Sequence, residues 1–383
     1  MQRKYHYAAV LGFCLVSLLL AYRPWAAQAT LPALSLEAPA ETLVIPFIPL
    51  PGEAPPAARV ALGKYLFFDE RLSGDATTSC ASCHLPERAW TDGQPLSAGY
   101  PNTPYFRNTP TLLNLAFQAN LYWDGRLSGG DLESAVRDHL TEAHFMNADG
   151  QLVVERLKQV PQYETAFREA FGSGPSFGNL LSAVSTYLRR LVSTASPYDR
   201  YLAGEPSALS SEAVRGLALF NGRAGCAQCH SGPLLSDSQF HNLGVPQNPL
   251  VFAEPLRHVT FRRFFRGFGV VGYRDLREDP GAFILTQQME DWGTFRTAPL
   301  REVCYTAPYM HNGIFTTLEE VVAFYHQGGG DAPNKDPLLA PLALSESDQA
   351  DLVAFLKSLC GELAPASWPE VPPYQLRPLG DNS

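Results

Sequence analysis

Two copies of Cys-x-x-Cys-His, Cys80-Ala81-Ser82-Cys83-His84 and Cys226-Ala227-Gln228-Cys229-His230, constrain this chain more than any other feature of its 383 residues. Two thiols at that spacing can add to the vinyl groups of a haem, and the imidazole that follows is then held under the iron as its proximal ligand. A bare Cys-x-x-Cys is equally a redox dithiol or half of a zinc site. A His directly after both copies argues against either, so we read two c-type haems, attached through Cys80, Cys83, Cys226 and Cys229 and ligated by His84 and His230.

Covalent attachment of this kind takes place outside the cytoplasm, and the chain opens like an export signal. Arg3 and Lys4 are basic, Ala8 to Ala21 is apolar, and Ala27-Gln28-Ala29 has the small residues of a cleavage site. Residues 1–29 are therefore expected to be a signal peptide and the mature protein periplasmic; an uncleaved anchor is the alternative, although the apolar run is short for a membrane span. Removing three basic and no acidic residues with the signal takes the formal charge from −9 to −12. So acidic a chain is a poor partner for nucleic acid or an anionic membrane, and a basic or neutral protein suits it better. Of seven cysteines, Cys14 leaves with the signal and four carry haem; Cys304 and Cys360 remain and could pair in an oxidising compartment.

The pattern along the chain is mainly α. Residues 30–56 read as an extended lead-in, and Ala57–Phe68 as a helix with Val60, Leu62, Tyr65 and Leu66 on one side. Helices are expected at 132–140, at 153–171 with Pro161 ending or kinking it, and at 177–192. Ser196 to Ser207 reads as a linker, and Ser210 as the N-cap of a helix leading into the second motif. A helix followed by Cys-x-x-Cys-His thus occurs twice. The fold expected is two tandem cytochrome c-like domains, each with one covalently bound haem, at residues 30–209 and 210–383. Helices at 317–326 and 345–359 complete the second, while 245–293 reads as a long irregular insertion covering the second haem. Arg257, Arg262, Arg263 and Arg266 within it either pair with propionates or form a solvated basic face.

The segments Arg107-Asn108-Thr109-Pro110, Tyr122-Trp123-Asp124-Gly125-Arg126, Phe295-Arg296-Thr297-Ala298-Pro299 and Thr306-Ala307-Pro308-Tyr309-Met310-His311-Asn312-Gly313 resemble those of the bacterial di-haem cytochrome c peroxidases and their relative MauG, over residues 56–360. The resemblance implies that Trp123 lies between the two haems as a site for electron or hole transfer; core packing is its ordinary alternative. It also implies that Asn108 and the carbonyls of Thr306 and Pro308 bind an interdomain Ca²⁺, to which oxygen donors are suited; by themselves these residues read as turn formers.

Three departures from the family pattern bear on function. Where those peroxidases often keep a distal His before the Arg-Asn-Thr-Pro segment, this chain has Tyr100, which implies an open face at the first haem. Fourteen residues after His311, where the peroxidases place a Met on the second iron, stands Tyr325; an oxygen ligand favours higher oxidation states, with Met310 and Met289 as alternative ligands. Phe145 occupies the position of the distal carboxylate, which leaves Glu142 and His144 as candidates for the proton transfer that peroxide cleavage needs, or as exposed loop residues.

The run from Asp124 to Met146 is most similar to the MbnH-type branch, associated with methanobactin gene clusters. The resemblance implies a peroxide-using enzyme that oxidises an aromatic side chain, tryptophan to kynurenine, on a metal-binding partner protein. The alternatives are a peroxidase that reduces H2O2 with electrons from a small cytochrome or copper protein, and a non-enzymatic electron-transfer cytochrome.

Overall fold

The computed structural model describes residues 54–363 and 368–373. The signal peptide expected at 1–29 and most of the lead-in lie outside the described residues. Among those described, no helix is long and apolar enough to cross a membrane.

The first half is built on α1 (Ala57–Phe67), which leads into the Cys80 motif; then α2 (Leu132–Thr141), α3 (Gly150–Lys158), α4 (Pro161–Phe171) and α5 (Phe177–Leu188). Pro161 separates α3 from α4 because a residue without an N–H is tolerated in the first turn of a helix and not in its interior. Leu62, Leu66, Val153, Tyr163, Phe167 and Leu180 are fully buried where these helices meet. The second half repeats the plan. Helix α7 (Ser211–Asn221), capped by Ser210 as expected, leads into the Cys226 motif, and α11 (Leu318–His326) and α12 (Glu346–Lys357) pack on it around Leu352 and Phe355.

The duplication is visible in one contact. A Cβ on Gly63 of α1 would collide with the Ala183 carbonyl of α5 and lie 2.8 Å from the Tyr187 Cβ. A Cβ on Gly216 of α7 would collide in the same way with the Asp351 carbonyl of α12 and lie 2.8 Å from the Phe355 Cβ. In each half the helix before the haem motif therefore touches a later helix backbone to backbone, which only glycine permits.

Two expectations need correction. The segment read as a linker contains α6 (Pro197–Leu202), started by a capping box in which Ser196 and Asp199 bond each other's backbone N–H. Asp199 also pairs with Arg301 at 2.8 and 2.9 Å, and Tyr198 packs on the second core while Val371 packs on the first. The supposedly irregular insertion holds α8 (Leu250–Ala253), the 13-residue α9 (Pro255–Gly267) and α10 (Phe283–Thr286). Phe261, Phe264 and Phe265 of α9 form a third core with Leu96, Tyr105 and Phe106 of the first half. Aromatic residues at helical spacing made the helix; the interspersed arginines and glycines hid it.

Two short antiparallel pairs position the site. The pair β1 (Asn120–Leu121) and β2 (Leu127–Ser128) closes a turn that presents Trp123. The pair β3 (Phe240–His241) and β4 (Phe295–Arg296) brings the chain after the second motif beside the 295–299 segment. The Arg296 N–H donates to the Trp123 carbonyl at 3.0 Å, which fastens the turn to the second half.

Candidate functional site

Each Cys-x-x-Cys-His motif forms a short 3-10 turn whose His is tied back to the main chain. His84 is buried and its Nδ1 lies 2.9 Å from the Trp90 carbonyl; the Nδ1 of His230 lies 3.0 Å from the Leu235 carbonyl. A carbonyl can only accept, so Nδ1 carries the proton and Nε2 keeps its lone pair, the tautomer a metal-ligating imidazole needs. Burial pushes the Cys80 thiol up to about 12 and the thiols of Cys83 and Cys226 up to about 11. A redox dithiol needs a lowered attacking thiol, so these pairs are poorly suited to disulfide exchange.

The second motif opens on a cavity of about 420 Å³, lined by Cys226, Cys229, His230 and, from α11, Tyr325. Burial, and then the neighbouring Cys226 and Cys229 sulfurs, hold the Tyr325 phenol well above its ordinary pKa. Of the alternative ligands, Met310 lines the same cavity, whereas Met289 is 64% exposed and is not among its lining residues. Arg296 lines the cavity too. Its guanidinium is buried, donates from Nε to the Tyr122 carbonyl at 3.2 Å, and leaves Nη1 without a partner. A haem fits these residues: the lining is largely apolar, His230 offers Nε2, and a propionate would satisfy the orphaned Nη1. Of the four arginines considered from sequence, Arg257 is buried and committed elsewhere, to Glu254 and the carbonyls of Ser97 and Tyr105. Arg263 and Arg266 are exposed, and Arg262 is half-buried.

Trp123 lines this cavity as well, and its Nε1 donates to the Asn108 carbonyl at 2.9 Å. Next to it, Arg107 is fully buried between Asp124, at 2.5 Å, and Asp279, at 2.7 Å. A buried cation held by two carboxylates fixes the Asp124 turn, and hence the indole, more firmly than surface pairs would. Asn108, Thr306 and Pro308 all line the cavity. Asn108 uses its Nδ2 on the Gln94 carbonyl at 2.9 Å, which leaves Oδ1 as the donor a hard cation would take. Cys304 and Cys360 are joined in a disulfide.

The structure gathers a group near the first motif that sequence reasoning passed over. His139 of α2 lies with its ring centroid 6.2 Å from that of His84. It is stacked on Phe145 at 4.3 Å and on Tyr122 at 5.5 Å, and Arg126 lies 3.5 Å above the Tyr122 ring with Nε and Nη2 buried and unpartnered. Glu142 and His144 sit one ring further out. Their Oε2 and Nε2 are 2.9 Å apart, and His144 stacks on Tyr105 at 4.9 Å. Burial raises the Glu142 carboxyl, but the hydrogen bond and charge of His144 outweigh it and leave the group below its ordinary value. Tyr100 is turned towards Asp75. The only signal of His139 in sequence is a His in the last turn of α2, on the face shared with Leu132, Ala135 and Val136, and a His so placed is ordinarily a helix-dipole partner.

Cys229, Asp237 and His241 also converge, with one ligand atom of each within 4.8 Å of the others. Because Cys229 is one of the haem-attachment sulfurs, the trio belongs to the second motif.

Residues 57–207 match the model of the di-haem cytochrome c peroxidase family, which includes MauG. The chain is 48% identical over 326 residues to cytochrome-c peroxidase IdrP2 of Denitromonas iodatirespirans, covering 85% of this chain and 88% of that one. It is 39% identical to the methylamine utilization protein MauG of Methylorubrum extorquens, over 82% of this chain and 81% of that one. Among solved structures, a MauG-like protein associated with microbial copper homeostasis superposes with a TM-score of 0.70 at 30% identity, over 83% of this chain and 93% of that one.

Proposed function

Because this chain belongs to the di-haem cytochrome c peroxidase family, we propose that it is a periplasmic oxidoreductase that reduces hydrogen peroxide at the His84 site, with reducing equivalents arriving through the His230–Tyr325 site and Trp123. Peroxide takes up two electrons and two protons and leaves as two waters. What bound haem supplies is O–O bond cleavage and one-electron chemistry, which no side chain offers.

The chain's own residues do the rest. His84 and His230 present Nε2 from rings fixed at Nδ1. Tyr122, Phe145 and the α2 face wall the first site from bulk water. Glu142 and His144, mostly buried with Oε2 and Nε2 2.9 Å apart, are the groups that hold and release protons at this edge of the site. Trp123 belongs to the wall of the second site while hydrogen-bonded to the main chain of the first half, and this shared placement is the observation that carries the coupling. Calcium at Asn108, Thr306 and Pro308 would stiffen that junction.

The electron donor we favour is a small cytochrome or copper protein, supported by 48% identity to a protein named cytochrome-c peroxidase. Tyr325 favours a second reading. An oxygen ligand stabilises oxidised iron, which suits the oxidation of an aromatic side chain, tryptophan to kynurenine, on a metal-binding partner, and the MauG-like structural neighbour is consistent with it. Haem-loaded protein given peroxide and a reduced small cytochrome should oxidise two donor molecules per peroxide. Failure there, with peroxide-dependent mass change of tryptophan on a co-encoded partner, would replace the first reading by the second.

A further inference from the structure

We propose that Trp292 is the residue through which electrons from the donor protein enter the second site, with Glu278 as the base that takes and returns its indole proton. The inference deepens the proposed peroxide reduction and rests on it, since it names where the reducing equivalents cross into the protein.

Four observations carry it. The first is position. Trp292 follows the short 3-10 turn Met289–Asp291 and lines the same cavity as His230, Tyr325 and Trp123, yet it is only half-buried. A protein donor cannot enter that cavity, so its electron has to cross the wall. The second is the hydrogen bond. Trp292 Nε1 donates to Glu278 Oε1 at 2.6 Å, and Glu278 is exposed while also lining the cavity. One-electron oxidation makes the indole N–H strongly acidic, and a carboxylate at this distance is the acceptor the oxidised ring needs. An indole that merely sealed the wall would be satisfied by a backbone carbonyl, as Trp123 is by that of Asn108.

The third observation is fixation. The Trp292 carbonyl accepts from Nδ2 of Asn242 at 3.0 Å and of Asn334 at 2.7 Å, and the ring meets Phe283 edge-on with centroids 4.9 Å apart. The fourth is its surroundings. Met289, 64% exposed, and the exposed Glu290 stand beside it in the chain. With Glu278 they give an apolar contact among acidic groups, which suits a donor with a basic face.

In the step, Trp292 loses one electron to the peroxide-oxidised second site and its Nε1 proton passes to Glu278 Oε1. One electron from the donor and return of the proton restore the indole and the carboxylate.

The test compares wild type, Trp292→Phe and Glu278→Gln, all fully haem-loaded, with haem content measured on the same samples. Freeze-quench electron paramagnetic resonance after peroxide without donor should show a tryptophanyl radical in wild type, narrowed by ring-deuterated tryptophan and missing from Trp292→Phe. Stopped-flow reduction of the second site by a reduced, basic small cytochrome should be about tenfold slower in Trp292→Phe. Glu278→Gln keeps a hydrogen-bond acceptor but no base, so it should lose the solvent deuterium isotope effect of the wild-type reduction. If Trp292→Phe does not hold both haems, Trp292→Tyr serves, and the radical should then be tyrosyl.

No tryptophanyl radical in wild type, the same radical in either Trp292 variant, or a reduction rate equal to wild type in Trp292→Phe overturns the relay. An isotope effect unchanged in Glu278→Gln overturns the role of Glu278. A wild type that forms the Trp292 radical but oxidises no small cytochrome would remove that donor and keep the relay. Two-donor turnover that is equally fast in Trp292→Phe would remove the relay and leave the proposed function standing.

Discussion

The indole N–H of Trp123 donates to the carbonyl of Asn108, 2.9 Å away, while the Trp123 carbonyl accepts from Arg296 N at 3.0 Å. One residue is thereby bonded to the segment after the first haem motif through its side chain and to the strand beside the second through its backbone. Trp123→Phe keeps the backbone bond and removes the indole. Loss of the neutral hydrogen bond should cost about 1 kcal/mol of stability. Transfer between the sites should slow by about tenfold, equivalent to about 1.4 kcal/mol of barrier, as read by stopped-flow oxidation of the second site after peroxide addition.

Tyr325 is the only phenol on the cavity wall contributed by α11. Tyr325→Met should raise the potential of the second haem, since thioether in place of an oxygen ligand favours reduced iron. Tyr325→Phe should shorten the lifetime of the peroxide-oxidised protein by about tenfold or more. Redox titration and optical decay measure the two effects; unchanged values in both variants would remove Tyr325 from the ligand set.

Glu302 is 2% exposed, and burial lifts its carboxyl from 4.5 to about 7. The folded protein therefore keeps a proton that the unfolded chain has released, so the stabilisation from this group is complete below about pH 4.5 and is lost as the pH rises through about 7. Glu302→Gln retains an acceptor for the Gly361 N–H, now at 2.9 Å. It should flatten that decline, with a gain of about 2–3 kcal/mol above pH 7 in denaturant titrations.

Gly216→Ala should force α7 away from α12 and destabilise the second half by about 1–3 kcal/mol, and Gly63→Ala should do the same to the first. Chemical denaturation with haem absorbance as the probe measures both. An Ala at either position with wild-type stability would mean that the close helix approach is not a requirement of the fold.

Much of this fold was legible because its signals are local. Ser210, Ser345 and Thr317 cap the helices their positions announced, and the two motifs fixed four cysteines and two histidines. What was missed depends on context. Ser196-Pro197 reads as a break until Asp199 closes the capping box and meets Arg301 from a hundred residues away. The arginines of α9 read either as propionate partners or as a solvated basic face, and Arg263 and Arg266 are indeed exposed, whereas Arg296, which lines the cavity from β4, carried no such signal. His139 is an unremarked helix residue until the fold sets it opposite His84. Glu142 and His144, chosen for proximity in sequence to Phe145, pair with each other one layer further from that ring.

Steady-state peroxide consumption by fully haem-loaded protein, with a reduced small cytochrome as donor, bears on the whole arrangement at once. Sustained turnover with two donors oxidised per peroxide, greatly slowed in Trp123→Phe, is the expected outcome. Two intact haems with no peroxide consumed, even after pre-reduction, would contradict it.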